Sequence, residues 1–370
     1  MTGAGNSLDD WLVLARCPGL GARICQRLLA RCGDAQGIRR ASASLWREAG
    51  LREAGTTWLR SPDADLLAKD RAWLASPGCG LITWHDPGYP SSLRELPDAP
   101  AWLFARGDAD LLDAPGCAIV GSRNPSRAGV GHARRLAHDL AKSGLVIVSG
   151  LADGIDAAAH QGALDADGMT VAVCGTGLDQ VYPKRNLDLA RAIGERGLLV
   201  SEFAPGMPPK PGHFPRRNRL IAGLTLGSVI VEAAGRSGSL ITARLAMEYG
   251  REVFAMPGSV DNPLARGCHR LLRDGARLVE TAADVLEELA PLLPGRAALD
   301  RQASEPVVDR EVADPEQQAL LACLGHSPAR VDELVERSGL TADAVSSMLL
   351  ILELQDLVTP LPGGAFLRKP

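Results

Sequence analysis

Short runs of apolar and β-branched residues alternate with amphipathic segments through the middle of the chain. The runs that fit strands are LITWH (81–85), AWLFAR (101–106), CAIVG (117–121), LVIVSG (145–150), TVAVCG (170–175), LLVSEF (198–203), SVIVEA (228–233), EVFAMPG (252–258) and RLVE (277–280). Helical patterns at 127–144 and 239–250 lie between them. Strands that alternate with helices are typical of βαβ units. The pattern predicts an α/β domain over residues 81–290, with a Rossmann-like, doubly wound and mostly parallel sheet.

The first part of the chain has a helical pattern instead. Residues 1–80 contain short amphipathic segments and no alternating β pattern, which predicts a small helical, SAM-like domain. Its Pro18-Gly19-Leu20-Gly21 turn opens a helix that carries Arg23 and Arg27. This turn is similar to a helix-hairpin-helix, whose free backbone N–H groups can bind a phosphate. A tight turn between two packed helices is the alternative.

The last part of the chain changes pattern twice. Residues 291–313 lose periodicity and gain proline, alanine and charge, which predicts a linker. Three helical segments and a hairpin that closes on Gly363-Gly364 follow over residues 314–370. This order predicts a winged helix. Its third helix, 341–356, contains no lysine or arginine, so contact with a protein is favoured over contact with duplex DNA.

The composition is that of a folded, non-membrane protein. Apolar residues make up 46% of the 370 residues and charged residues 23%. No apolar run is long enough to span a membrane, and the first residues carry acids where a signal peptide has basic residues. We therefore expect a cytoplasmic protein without membrane contact. Because the eight cysteines form no CxxC pair, we expect neither disulfides nor zinc.

The net charge of −4 argues mildly against nucleic acid, since most DNA-binding proteins are basic overall. Its distribution weakens that argument. Residues 1–80 have 11 basic and 8 acidic side chains, residues 81–299 have 23 and 24, and residues 300–370 have 6 and 12. The acidic excess therefore lies in the last segment and not in the α/β domain.

Glycine-bearing loops follow four of the predicted strands. In an open parallel sheet such loops meet at the carboxyl edge, where backbone N–H groups and helix N-termini can hold anions. The pattern predicts a phosphate cradle. The first loop lacks GxGxxG, and the second strand does not end in an acidic residue, so a bound NAD is not expected and no cofactor is predicted.

Cationic and aromatic side chains lie in or beside these loops. Arg123 can donate two hydrogen bonds to a phosphate, and Lys184 adds a compact charge, although either could be a solvated surface cation. FPRRNR (214–219) places three arginines at a helix start, where a nearby anion would relieve an unfavourable dipole interaction. Alternatively some of them, Arg219 in particular, pair with Glu202 and Glu232 as interior struts.

The predicted DNA-contact set gathers glycines, serines, asparagines and cations of these loops and one base-stacking aromatic residue, Phe214. It consists of Gly121, Ser122, Arg123, Gly154, Gly175, Gly177, Lys184, Asn186, Phe214, Arg216, Arg217, Asn218, Ser237 and Gly238.

Five long segments of the chain together resemble one bacterial family. They are GSRNPSRAGV, SGLADGIDAAAHQGAL, GTGLDQVYPKRN, SEFAPGMPPKPGHFPRRNRLIAGL and VEAAGRSGSLITARLAMEYGREVFAMPG. Their order and composition resemble the DNA-processing protein A (DprA, Smf) family. The resemblance implies a homodimer that binds single-stranded DNA and loads the RecA recombinase in natural transformation. It also implies DNA contacts by Arg123 and Lys184, with FPRRNR beside them. Here His269 stands where the family usually has asparagine, so the role of that loop is open.

An enzymatic reading remains as the alternative. The fold class includes phosphoribohydrolases of the lysine-decarboxylase-like group, which need an acidic residue where this chain has Ile241 and Thr242. Asp153, Asp156 and His160 could form an acid/base cluster, because Asp156 and His160 are four residues apart on a predicted helix. A helix cap and a partnered histidine are the structural alternative. We expect no catalysis.

Overall fold

The computed structural model describes residues 7–235, 237–293, 314–325, 328–355, 357–361 and 364–368. Arg236, Asp356, Gly363 and most of the predicted linker (294–313) lie outside the described residues. The chain divides into two compact units, Met1–Ala303 and Ser304–Pro370. Each unit has its own hydrophobic core.

The first unit begins with six short helices. They are α1 (Leu8–Arg16), α2 (Ala22–Cys32), α3 (Ala35–Arg40), α4 (Ala43–Glu48), α5 (Glu53–Arg60) and α6 (Ala64–Leu74). Polar caps start several of them: Ser7, Asp34 and Asp63 each accept a hydrogen bond from a first-turn N–H group. Their apolar faces form a core that continues into the sheet through Trp102 and Phe104. The helices are therefore packed onto the sheet by shared apolar burial.

A nine-stranded, mostly parallel sheet follows the helices. Its strands are β1 (Cys79–Thr83), β2 (Trp102–Gly107), β3 (Gly116–Gly121), β4 (Val146–Ser149), β5 (Thr170–Val173), β6 (Leu198–Ser201), β7 (Gly227–Val231), β8 (Glu252–Ala255) and β9 (Arg277–Leu278). The order across the sheet is β1-β2-β6-β5-β4-β3-β7-β8-β9. Only the β1–β2 and β2–β6 pairs are antiparallel. The predicted Rossmann-like fold class is confirmed, and every predicted strand is present.

Helices cover both faces of this sheet. They are α7 (Ser91–Arg94), α8 (Arg127–Lys142), α9 (Ile155–Asp165), α10 (Leu187–Arg196), α11 (His213–Gly223), α12 (Ser239–Glu248), α13 (Arg266–Arg273) and α14 (Ala282–Leu289), with 3₁₀ turns at Ala109–Leu112, Lys184–Asn186 and Ala290–Leu292. Helices α8, α9 and α14 pack on one face, and α7, α11, α12 and α13 on the other. The chain after β3 and the chain after β7 thus cross to opposite faces, which opens a crevice between these two neighbouring strands.

The second unit contains three helices and a small sheet. They are α15 (Pro315–Leu324), α16 (Val331–Ser338), α17 (Ala342–Leu354), β10 (Ala329–Arg330), β11 (Val358–Leu361) and β12 (Ala365–Arg368). Leu320, Leu334 and Leu349 are buried at its centre. Helix α17 exposes Leu350, Ile351 and Leu354. The predicted winged helix is confirmed. Within the described residues of both units, no helix is long and apolar enough to cross a membrane.

Candidate nucleic-acid interface

A cleft of about 640 Å³ opens at the carboxyl edge of the sheet, at the crevice between β3 and β7. Its walls come from the loops that follow these strands and from the first turns of α11 and α12. Half of the predicted set borders it: Gly121, Arg123, Phe214, Arg217, Asn218, Ser237 and Gly238. The structure therefore brings these seven residues together at one cleft.

Two glycines bring the β3 and β4 loops together. A Cβ atom on Gly121 would collide with the carbonyl oxygen of Val231 on β7. Gly154 has a φ of +78° and precedes Ile155, whose N–H donates to the carbonyl of Ser122 at 3.1 Å. A side chain at Gly154 would displace that contact. These close approaches fix the backbone that carries Arg123.

Arg123 and two aromatic rings form one wall of the cleft. The guanidinium carbon of Arg123 lies 5.7 Å from the centre of the Phe214 ring. The rings of Tyr182 and Phe214 are 5.4 Å apart at an interplanar angle of 40°. Arg123 and Tyr182 are exposed, and Phe214 is half-buried. This wall offers a cation and apolar ring surface side by side, which suits a phosphate next to a base.

Arg217 forms the floor of the cleft. Its position differs from the prediction that it contacts a phosphate. It is only 4% exposed, and its Nη1 donates to the carbonyl of Val173 at the end of β5. The guanidinium lies against Gly150, where a Cβ atom would collide with it. The structure therefore makes Arg217 a buried brace between strand ends and not an exposed phosphate contact, because its guanidinium binds the Val173 carbonyl and packs against Gly150.

A buried carboxylate lies near this brace. Asp156 accepts hydrogen bonds from the N–H groups of Gly150 at 3.1 Å and Ala152 at 3.4 Å. Burial raises the pKa of Asp156, and the nearby Arg217 guanidinium and these N–H groups oppose that rise. Burial also lowers the pKa of Arg217, and Asp156 opposes that shift. The two buried charges thus stabilise each other beneath the cleft.

The other half of the predicted set lies outside the cleft lining: Ser122, Gly154, Gly175, Gly177, Lys184, Asn186 and Arg216. Lys184 is exposed at the start of the 3₁₀ turn that follows Tyr182, on the same edge of the sheet. Asn186 is buried, and its Nδ2 donates to the carbonyls of Leu151 at 3.0 Å and Ala152 at 3.3 Å. Asn186 therefore ties the β4 and β5 loops together, which makes it a structural residue.

At two of the predicted glycines, close packing leaves no room for a side chain. Gly175 lies under the Phe214 ring, and its Cβ atom would be 2.9 Å from Phe214 Cδ1. A Cβ atom on Gly177 would be 2.5 Å from the carbonyl oxygen of Ala204. The N–H group of Gly177 donates to the carbonyl of Met207 at 3.0 Å. Both glycines allow the β5 loop to approach the segment that leads into α11.

The strut alternative is confirmed for Arg219. Its Nη2 binds Oε1 of Glu202, and its Nε lies 3.6 Å from Asp98. Arg216 Nη2 is 3.4 Å from the same Glu202 oxygen, so this carboxylate holds two arginines of α11. Glu232 makes a different contact: it accepts hydrogen bonds from the N–H and the hydroxyl of Ser126 at 2.7 and 2.5 Å. Glu232 therefore supports the start of α8.

The possible acid/base cluster is not assembled. His160 is fully buried, and its Nδ1 lies 2.7 Å from Oγ1 of Thr170, away from Asp156. Burial, aided by Arg217, lowers the pKa of His160 to about 3. Asp153 is paired with Arg185. In the part of the chain that the structure describes, no group of three or more potential ligands could hold a metal ion.

Lys210 is a cleft residue that the sequence prediction missed. It is exposed and borders the cleft from the loop between β6 and α11. Its segment, PPKPG, has no periodicity that would indicate its position. The signal in the sequence is that lysine is rare. The chain has five lysines, of which Lys184 starts a 3₁₀ turn and Lys210 lies in a loop, both near this edge of the sheet.

His269 occupies a structural position. It lies in α13, and its Nε2 is 2.9 Å from the carbonyl oxygen of Gly258. The contact joins α13 to the loop after β8. The side chain of His269 therefore has a structural contact of its own in this loop.

Comparison with known sequences assigns the family. A sequence profile described as DNA recombination-mediator protein A matches residues 80–290, which includes every residue of the cleft. The chain belongs to this family. A profile of the DprA winged helix domain matches residues 302–364. Protein Smf of Escherichia coli (strain K12), a DprA/Smf relative, is 42% identical over 293 residues, covering 79% of this chain and 78% of the relative.

Two solved DprA structures resemble this fold. DNA processing protein A from Streptococcus pneumoniae has a TM-score of 0.68 and 39% identity, covering 76% of this chain and 98% of that chain. The Helicobacter pylori protein, whose structure concerns a single-stranded DNA binding mode, has a TM-score of 0.53 and 33% identity, covering 58% of this chain and 97% of that one. The fold of this chain is therefore shared with DprA proteins over most of their length.

Proposed function

We propose that this chain binds single-stranded DNA, without reading its sequence, in the cleft at the carboxyl edge of the sheet. The observation that carries the proposal is Arg123, whose exposed side chain borders the cleft beside Phe214. Arg185, Arg216 and Arg219 are engaged by carboxylates, whereas Arg123 has no such partner among the described residues. A cation fixed beside an aromatic ring and free of a carboxylate fits a nucleic-acid backbone.

Binding would combine phosphate contacts with limited stacking. Arg123 and Lys210 supply charge at the cleft, and Lys184 adds charge on the same edge. Phe214 and Tyr182 offer ring surface to bases of any identity. Because aromatic residues are only 4% of the chain, phosphate contacts should supply most of the affinity. We therefore expect sequence-tolerant binding that weakens as salt rises, with a slope of about −0.7 per phosphate.

We also propose that the chain acts as a homodimer that loads the RecA recombinase onto incoming DNA in natural transformation. Family membership supports the recombination role. Strand β9 ends the sheet and is exposed, and the open edge of a sheet can pair with a strand of a second copy. A two-fold dimer would present two clefts to one strand and raise affinity through effective concentration.

A fluorescence titration of labelled oligo-dT tests the binding proposal. Arg123→Glu should weaken binding at least tenfold, because it removes a phosphate contact and adds repulsion. The matched control is Arg60→Glu, which changes charge equally at an exposed arginine in α5. Equal affinities for both variants would refute the assignment of the cleft. Incubation with AMP tests the hydrolase alternative, since release of adenine would support an enzyme.

A further inference from the structure

A second cleft, of about 610 Å³, lies between the helical region and the α/β fold of the first unit. One side is the Gly19–Gly21 turn at the start of α2, and the other is formed by α11 and α12. Four arginines and a single acidic residue line it: Arg23, Arg216, Arg219, Arg244 and Asp98. Glu202 binds Arg216 and Arg219, and Glu248 pairs with Arg244, so these four arginines face three carboxylates. The remaining excess of one cation favours an anionic occupant.

The start of α2, directly after this turn, borders this space with its first residues, Ala22 and Arg23. Gly21 is the N-cap of α2, an 11-residue helix, and no side chain caps it. The first N–H groups of a helix have no partner within the helix and lie at its positive end. A Cβ atom on Gly19 or Gly21 would meet nothing within 4 Å, so the turn faces open space. These donors are therefore accessible from the cleft.

Arg219 supplies an independent indication of a ligand. Its side chain is 6% exposed, and its Nη1 is buried without a hydrogen-bond partner in the described structure, although Nη2 binds Glu202. Asp98, which lies 3.6 Å from Arg219 Nε, does not reach Nη1. A buried guanidinium donor without an acceptor is uncommon in folded proteins. An anion in the cleft would supply an acceptor at this position.

The two clefts are continuous along α11 and α12. Pro215 and Ile241 border both of them. Along α11, Phe214 and Asn218 line the first cleft, whereas Arg216 lines the second. A chain that leaves the first cleft over Pro215 therefore enters a space lined by cations.

We infer that the second cleft binds backbone phosphates of the same DNA strand, which continues from the α/β cleft over Pro215 and Ile241 to the Gly19–Gly21 turn. This inference rests on the proposed single-stranded DNA binding. Arg23 is exposed and pairs with no carboxylate of the described chain, so it contacts phosphate without a competing partner. Arg244 shares its charge with Glu248 at 3.4 Å on the helix surface. The helical region is thus part of the DNA-binding surface.

Two substitutions of Gly21 distinguish a loss of DNA affinity caused by charge repulsion from a loss caused by reduced stability. Gly21 has a φ of −79° and a ψ of 168°, a backbone conformation that suits aspartate or asparagine as an N-cap. Both Gly21→Asp and Gly21→Asn should therefore keep or raise thermal stability. Gly21→Asp places a carboxylate beside the proposed phosphate, so it should bind an oligo-dT of about 20 nucleotides roughly tenfold more weakly than Gly21→Asn. Equal affinities of the two variants would overturn the inference.

A length comparison distinguishes the two clefts. The probes are labelled dT oligomers of about 6 and about 20 nucleotides, of which only the longer reaches both clefts. Arg23→Gln with Arg244→Gln should weaken binding of the longer oligomer about tenfold and reduce its salt slope by about 0.7 for each lost phosphate contact, with the shorter one unaffected. The control is Arg52→Gln with Arg60→Gln, an equal charge change on exposed residues away from both clefts.

Each outcome has a separate meaning. If the Arg23 and Arg244 variant matches its control on the longer oligomer, while Arg123→Glu still weakens both probes, the second cleft is not a DNA site and the proposed function stands. If the wild type binds neither oligomer, the proposed function and the inference both fail. A weaker affinity and a smaller salt slope on the longer oligomer alone support the inference.

Discussion

The buried pair of Glu202 and Arg219 gives the sharpest prediction about stability. Glu202 is 6% exposed and Arg219 is 5% exposed, and their side chains bind directly between the end of β6 and α11. Glu202→Gln removes the charge that compensates Arg219. Loss of one member of a buried pair costs about 3 to 5 kcal/mol, because the other charge stays buried without compensation.

The structure places this case at the lower end of that range. Asp98 remains 3.6 Å from Arg219 Nε and supplies part of the lost compensation. Arg216 is partly exposed, so water can solvate it when Glu202 is neutral. We therefore expect Glu202→Gln to lower the free energy of unfolding by about 3 kcal/mol. Arg219→Met combined with Glu202→Gln should cost less, because no buried charge is left unpaired.

Urea unfolding measures both variants, with the fluorescence of buried tryptophans as the signal. The control is Asp188→Asn, which breaks the exposed Asp188–Arg191 pair on α10 at 3.3 Å and should change stability by less than about 1 kcal/mol. A change below 1 kcal/mol for Glu202→Gln, or a double variant less stable than the single one, would refute the reasoning. Either result would mean that Glu202 does not compensate a buried charge on Arg219.

Two further predictions concern pH and domain roles. The pKa of His160 is about 3 in the fold and about 6.5 in an unfolded chain, so only the unfolded state takes up this proton between those values. Stability should therefore fall as pH decreases from 6.5 towards 3, by about 2 kcal/mol at pH 5, and this loss should be absent in His160→Asn. Ending the chain after residue 299 should leave oligo-dT affinity within about threefold of the full chain, because the acidic excess lies beyond that point.

Each of these has a direct check. Unfolding curves at pH 7 and pH 5 compare wild type with His160→Asn, and His138→Asn serves as a control at a half-exposed histidine. Parallel pH dependence of wild type and His160→Asn would contradict the cause given for the pH effect. For the truncation, the same titration is run at several salt concentrations. A collapse of affinity would show that the second unit contacts DNA.

The strands and the position of the cleft could be predicted because their causes are local in sequence. Runs such as CAIVG and SVIVEA are apolar on both faces, which only a covered parallel sheet accommodates. Once the strands are parallel, their following loops must meet at one edge. The glycines at 121 and 154 then mark where two loops approach closely.

The roles of individual arginines could not be predicted in the same way. FPRRNR contains Arg216, Arg217 and Arg219, and helical periodicity alone does not show which of them faces the interior when all three are charged. The structure buries Arg217 against Val173 and Arg219 against Glu202, and leaves Arg216 partly exposed. The deciding partners are distant in sequence, so only the tertiary structure separates a brace from a contact.

On the proposed function, the same division accounts for the binding of a polyanion by a chain of negative net charge. Arg217 donates to the carbonyl of Val173 at the end of β5, and Arg219 binds Glu202 through Nη2, so both contacts position α11. The attraction falls to exposed cations without carboxylate partners among the described residues, Arg123 and Lys210 at the first cleft and Arg23 at the second. Affinity should therefore follow the arrangement of these few unpaired cations, because near a surface each one acts within about a Debye length, roughly 8 to 10 Å.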